Sequence, residues 1–177
     1  MKYGDIIMKK EESKFLFCFK KAKGLKLVNP NEILTGVYKR KSKSALNMLD
    51  SAKEKQEDDW ILDTSYYAKY FIIYSLFMKF GIKSEIHDCT IFGLKALFVE
   101  EDIISEDIYK ELEKSRDLRV DALYYDKEIG REEILKRSKT TPDFCLKVES
   151  IVDNISKEEI DKIRKKFEIL KYNINKQ

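Results

Sequence analysis

The chain has 177 residues, 43% of them apolar and 38% charged, which is enough for one domain with a real core under a heavily charged surface. One histidine and three scattered cysteines with no Cys-x-x-Cys pair leave a zinc site nothing to build on, and no GxGxxG or P-loop spells out a phosphate cradle. The net charge of +3 names no partner by itself. Its distribution says more, because residues 1–43 hold twelve Lys/Arg against four Asp/Glu, a net of +8, and the remainder carries −5. A basic first quarter can face nucleic acid or an acidic protein, and it can equally be a solvated lysine surface. Two prolines and six glycines leave few breaks and favour an all-α chain. Two glutamines among abundant Lys, Glu and Ile fit a protein built for heat.

Residues 1–28 read as a short N-terminal arm or strand pair, with Phe15, Phe17 and Phe19 alternating with Leu16 and Cys18. Cys18, Cys89 and Cys145 sit in apolar surroundings and read as buried thiols in a reducing cytoplasm. No signal peptide is visible, since the apolar run at 15–19 is short and Lys20 and Lys21 follow it. Asn29, Pro30 and Glu32 then spell a helix start with Asn29 as the cap. That helix runs to about Lys55, with Leu34, Tyr38, Lys41, Ala45, Met48 and Ala52 stepping inward by three and four. Lys39, Arg40 and Lys43 lie off this stripe and form the basic patch open to RNA.

The dominant stretch is Asp58 to Gly81, DDWILDTSYYAKYFIIYSLFMKFG. It is apolar on every face at helical spacing, as a buried central helix is. It is too short and carries Lys69 too deep to span a membrane. Gly81 ends it as a C-cap. A helix this apolar in a small domain lacks enough neighbours of its own, so part of it is expected to pair with a second copy. Its Tyr66, Tyr67, Tyr70 and Tyr74 could stack bases, but core packing fits their surroundings better.

His87 to Val99 reads as a shorter helix with Ile91, Leu94, Leu97 and Phe98 inward. The only histidine, His87, stands at its start, where capping or packing is the ordinary role. Ser105 caps a helix to about Tyr125 whose inward stripe is Ile108, Leu112, Ser115, Arg119 and Ala122. Arg119 must therefore find a carboxylate or carbonyl partner or line a cleft, with the central tyrosines a meeting point and Arg116 one turn earlier. Asp126 to Lys139 reads as a charged linker. Thr141-Pro142 opens a helix carrying Phe144, Cys145, Val148, Ile151 and Val152, and Ser156 to Glu159 is a full capping box for a last helix to about Tyr172. The layout is an arm at 1–28, a bundle at 29–155 and a C-terminal helix at 156–177, about five to six helices running up and down.

SYYAKYFIIYSLFMKFGIKSEIHD at 65–88, TIFGLKALFV at 90–99 and RDLRVDALYYD at 116–126 together resemble the HEPN family of small helical proteins, in an archaeal-type subfamily with an Arg-x-x-Ala-x-Tyr signature. KLVNPNEIL at 26–34 and TPDFCLKVESIV at 141–152 extend the likeness over most of residues 26–155. The resemblance implies a helical bundle that forms a symmetric homodimer through its central helices. It also implies either partnership with a small nucleotidyltransferase, as in toxin–antitoxin or substrate-binding pairs, or metal-independent endoribonuclease activity from an Arg and a His a few residues apart. Neither needs a cofactor or metal. Arg119, Ala122 and Tyr124 match the signature, while Leu123 stands where it has an acid. No histidine follows Arg116 or Arg119 within six residues, and His87 matches a histidine at the start of the third helix instead. The reading is a non-catalytic module binding RNA or a nucleotide through Arg116, Arg119 and Tyr124. A degenerate nuclease using Arg119 with Tyr124 or His87, and a plain helical scaffold, are the alternatives.

Overall fold

The structure, a computed structural model, describes residues 16–125 and 128–176. The arm expected at 1–28 is therefore described from residue 16 onward. Among the described residues, beyond a helical turn at 16–20, seven α-helices stand where about five to six are expected: α1 (Glu32–Lys55), α2 (Asp58–Phe80), α3 (His87–Gly93), α4 (Glu106–Tyr124), α5 (Arg131–Lys139), α6 (Thr141–Asn154) and α7 (Lys157–Asn175). Two short strands, β1 (Lys26–Leu27) and β2 (Ile82–Lys83), pair antiparallel. The architecture is the expected all-α bundle with a short N-terminal arm. Residues 16–20 are helical rather than extended, and strand β1 of the arm pairs with the residues that leave α2.

Helix α1 begins two residues later than the Asn-Pro pair suggests. Asn31 is the cap, its side chain accepting from the Leu34 N–H at 2.8 Å. The inward face is rotated accordingly. Thr35, Ser42, Leu49 and Ala52 are buried, whereas Leu34 and Met48 are exposed and Lys41 lies over the rings of Tyr38 and Phe71. The polar Ser42 faces inward because its hydroxyl donates to the Ala68 carbonyl at 2.7 Å, a partner that periodicity alone does not register.

Gln56 in the left-handed region closes α1, and α2 turns straight back along it. Helix α2 is the axis of the bundle, touched by α1, α4, α5, α6, α7 and β2. From Ile61 to Phe80 it is buried, apart from partly covered Asp63, Thr64, Tyr67, Phe71 and Lys79. The expectation that this helix lacks neighbours fails. The segment read as a linker at 126–139 contains α5, whose Ile134 is buried against α1, α2 and α4 residues, and its helix supplies the missing cover.

Gly81 takes φ +66° at the end of α2, a conformation that costs a residue with a Cβ about 1–2 kcal/mol. Its neighbourhood is also full, since a Cβ there would sit 2.6 Å from the Pro30 nitrogen and 2.5 Å from Arg164 Nη1. That arginine donates to the carbonyls of Val28 at 2.7 Å and Phe80 at 2.9 Å, closing the carbonyl end of α2 with a cation. Gly81→Ala is expected to cost about 2–4 kcal/mol in chemical denaturation, the strain adding to the displaced Arg164 cap. The Ser156–Glu159 capping box forms as expected at the start of α7, whose Ile163 and Phe167 are buried.

Helix α3 runs without a break into a wider π-helical turn, Leu94–Val99. Ile91, Leu94, Leu97 and Phe98 face inward as expected. Cys18 and Cys89 are joined as a disulfide, and only Cys145 keeps a free, buried thiol. The reading of three thiols fails because sequence spacing cannot show that the helical turn at 16–20 lies across α3.

Candidate functional site

Arg119, Arg116, His87 and Tyr124 converge where the N-terminal half of α2 meets α3 and α4. On α4 the buried positions are Tyr109, Leu112, Ser115 and Leu118, so the stripe is turned slightly from the expected one and Arg119 stands at its edge. Its Nε ion-pairs with Asp63 of α2, and its Nη2 donates to the Tyr67 hydroxyl at 3.3 Å. Its guanidinium lies 5.4, 5.0 and 5.9 Å from the ring centres of Tyr66, Tyr67 and Tyr124. Burial works against the charge, but the Asp63 hydrogen bond and charge outweigh it, and the Arg119 pKa stays raised.

His87 stacks on Tyr70 with ring centres 4.1 Å apart, and its Nδ1 shares a hydrogen bond with the Tyr66 hydroxyl at 2.9 Å. Burial lowers its pKa, the Arg119 and Arg116 charges lower it further, and Asp88 opposes them. The imidazole is therefore neutral at physiological pH. Burial likewise pushes the Tyr66 and Tyr70 phenols up, so both keep their protons. Arg116 pairs with Asp88, the residue after His87, and with Asp117 at 2.6 Å. It also borders a cleft of about 290 Å³ shared by α3 and α4, which Phe92, Lys95 and Glu106 help to line.

Tyr124 is 68% exposed and forms the outer wall. A second groove, about 370 Å³, runs from Lys41 along Ala45, Met48 and Thr64 to Tyr67 and Phe71, and so reaches the edge of the same cluster. Lys39, Arg40 and Lys43 are not brought to it. They line a separate cavity with Pro142, Leu146 and Glu149, and Lys39 is ion-paired to Asp153. The residues that sequence reasoning missed are Asp63 and Asp88. Asp63 was legible in principle, lying three and four residues before Tyr66 and Tyr67 and so on their face of the helix.

Among the described residues no group of His, Cys, Asp and Glu is arranged to hold a metal ion, and no helix is long and apolar enough to cross a membrane. No protein-family model matches the chain, and no curated protein sequence matches it.

Proposed function

We propose that this chain is a HEPN-type module that binds single-stranded RNA or a nucleotide at the Arg119 cluster. The observation that carries this reading is the convergence of two arginines and the one histidine on the tyrosine face of the central helix. Of the rings beside Arg119, partly covered Tyr67 and exposed Tyr124 offer faces that suit unpaired bases, while Tyr66 and Tyr70 are buried and form the floor. The two arginines face three carboxylates, Asp63, Asp88 and Asp117, so the cluster has no surplus positive charge. Recognition then rests on stacking and directed hydrogen bonds more than on counterion release, and binding should weaken only gently with salt. The partner implied by the resemblance is a small nucleotidyltransferase, tested by co-expressing such an enzyme encoded beside this gene and looking for a stable complex. A homodimer belongs to the same reading. Because the chain covers its own central helix, the supporting surface is the groove flanked by Met48 and Trp60, 57% and 62% exposed.

Titrating a labelled single-stranded RNA tests the binding site. Arg119→Ala should weaken binding about tenfold or more, the loss of a hydrogen bond to a charged group. Arg119→Lys should not restore it, since an ammonium cannot reproduce the planar fork. Equal affinity in all three proteins overturns the assignment.

A ribonuclease reading is favoured by one observation: His87 and Arg119, far apart in the sequence, lie against the same two rings, Tyr66 and Tyr67. A neutral imidazole beside two arginines can accept a ribose hydroxyl proton while a guanidinium holds the phosphate. RNA cleavage that persists in chelator and disappears in both Arg119→Ala and His87→Gln would establish this reading, and intact RNA at stoichiometric protein would dismiss it.

A further inference from the structure

We propose that the Cys18–Cys89 bond is a redox latch that holds His87 in place. This concerns regulation of the Arg119 cluster and rests on that cluster being the binding site. The residues from 16 to 25 lie as a strap across the back of α3. Three contacts tie the strap to α3 and the residues leading into it: the disulfide at Cys89, Leu25 packed against Gly93, and the Glu85 N–H donating to the Lys23 carbonyl at 2.8 Å, while its Phe19 packs on Phe167 of α7. A Cβ at position 93 would lie 2.9 Å from Leu25, so the glycine is what lets the strap come this close. Positions 89 and 93 share one face of the helix, and position 87 points the opposite way. The strap therefore presses α3 from behind while His87 meets Tyr66 and Tyr70 in front. Only the disulfide among the three attachments is covalent, and it lies two residues from His87.

Opening the latch needs a dithiol reductant. One thiolate of that dithiol attacks a latch sulfur and forms a mixed disulfide. Its second thiolate then closes the reductant's own disulfide, and Cys18 and Cys89 leave as two thiols that take up two protons. Both latch sulfurs belong to buried residues, so the rate follows local opening of the strap. Cys145 stays out of the exchange. It is buried in α6, and burial pushes its thiol up to about 11.

The test compares the full chain oxidised in air, reduced by dithiothreitol, and as Cys18→Ser/Cys89→Ser without reductant. Alkylation and mass measurement report the thiol state, amide exchange the strap and α3, and the imidazole proton signals the His87 titration. Reduction should speed exchange at 16–25 and 87–93 about tenfold or more and leave α2 protected. It should also move the His87 pKa up towards the ordinary histidine range. That titration is set by Tyr66, Tyr67 and Tyr70 of α2, Arg116 and Arg119 of α4, and Asp88 beside it. The double variant should match the reduced protein, and protected α2 amides show that it has folded. A latch is ruled out if exchange and titration are the same in the oxidised and reduced proteins, or if air-oxidised protein contains no Cys18–Cys89 bond. A labelled RNA titrated into both redox states separates the two ideas. Loss of binding only on reduction supports the latch as a regulator. No binding in either state removes the binding site and with it the regulatory role, while exchange and titration still decide whether the latch holds His87.

Discussion

Replacing Glu111 by alanine is expected to lower the unfolding free energy by about 3–5 kcal/mol, the range for breaking one side of a buried ion pair. The reason lies in Lys69, which is 0% exposed at the middle of the central helix. Its ammonium donates to Glu111 Oε1 at 2.6 Å and to Ser115 Oγ at 2.9 Å, and Arg137 of α5 closes on the other carboxylate oxygen. Burial holds the Lys69 pKa below the usual lysine value, and the Glu111 charge and hydrogen bond offset only part of that lowering. Without Glu111 the lowering deepens, since burial and the Arg137 charge then act with little to oppose them. A lysine whose folded pKa lies below its unfolded value binds fewer protons folded than unfolded between the two, so stability rises with pH across that window. The Glu111→Ala deficit should therefore be largest at neutral pH and shrink as pH climbs toward the unfolded lysine value. Urea denaturation at pH 7 and pH 10 checks this. Lys69→Met should cost less, since it removes the buried charge, keeps the volume and leaves Glu111 paired with Arg137. A loss as large as that of Glu111→Ala would contradict the account.

Reducing the Cys18–Cys89 bond is expected to cost about 4 kcal/mol at the upper end. The bond closes a loop of 71 residues, and the chain-entropy expression for a loop of that length gives about 4 kcal/mol at room temperature. The stabilisation acts on the unfolded chain, whose ends are held together, so it appears in the denaturation midpoint whether or not the native strap loosens. Urea curves of oxidised protein with and without dithiothreitol measure it, with a Cys145→Ala control to show that the third thiol takes no part. A midpoint shift below that expected for about 1 kcal/mol would mean that the denatured chain keeps the arm near α3 without the bond.

How much of this was legible in the sequence can be judged from particular residues. The all-round apolar stretch from Asp58 to Gly81 specified a buried central helix, because no face of it can meet water at acceptable cost. Gly81 as its cap and the Ser156–Glu159 box follow from local backbone chemistry and hold in the fold. So does the inward run of α3. Arg119 is legible as an anomaly that needs a partner, and Asp63 is legible only through its shared helix face with Tyr66 and Tyr67, a register that apolar patterning does not capture for a carboxylate. The rotation of α1 was hidden for a related reason. Ser42 faces inward through a hydrogen bond to a carbonyl of α2, and hydrophobic periodicity cannot see such a bond.

Fold class, the central helix, most of the helix ends and the demand for a partner at Arg119 follow from local propensity, patterning and the cost of burying charge, all of which the residues carry without their neighbours in space. Tertiary structure alone decided the rest. It set His87 and Arg119, 32 positions apart, against the same tyrosines, locked Cys18 to Cys89, sank Lys69 against Glu111, and covered the central helix with α5. Each of these is a contact between segments far apart in the chain. Such a contact is fixed by how the helices pack, and helix packing is set by the sum of many side-chain volumes and not by any one motif.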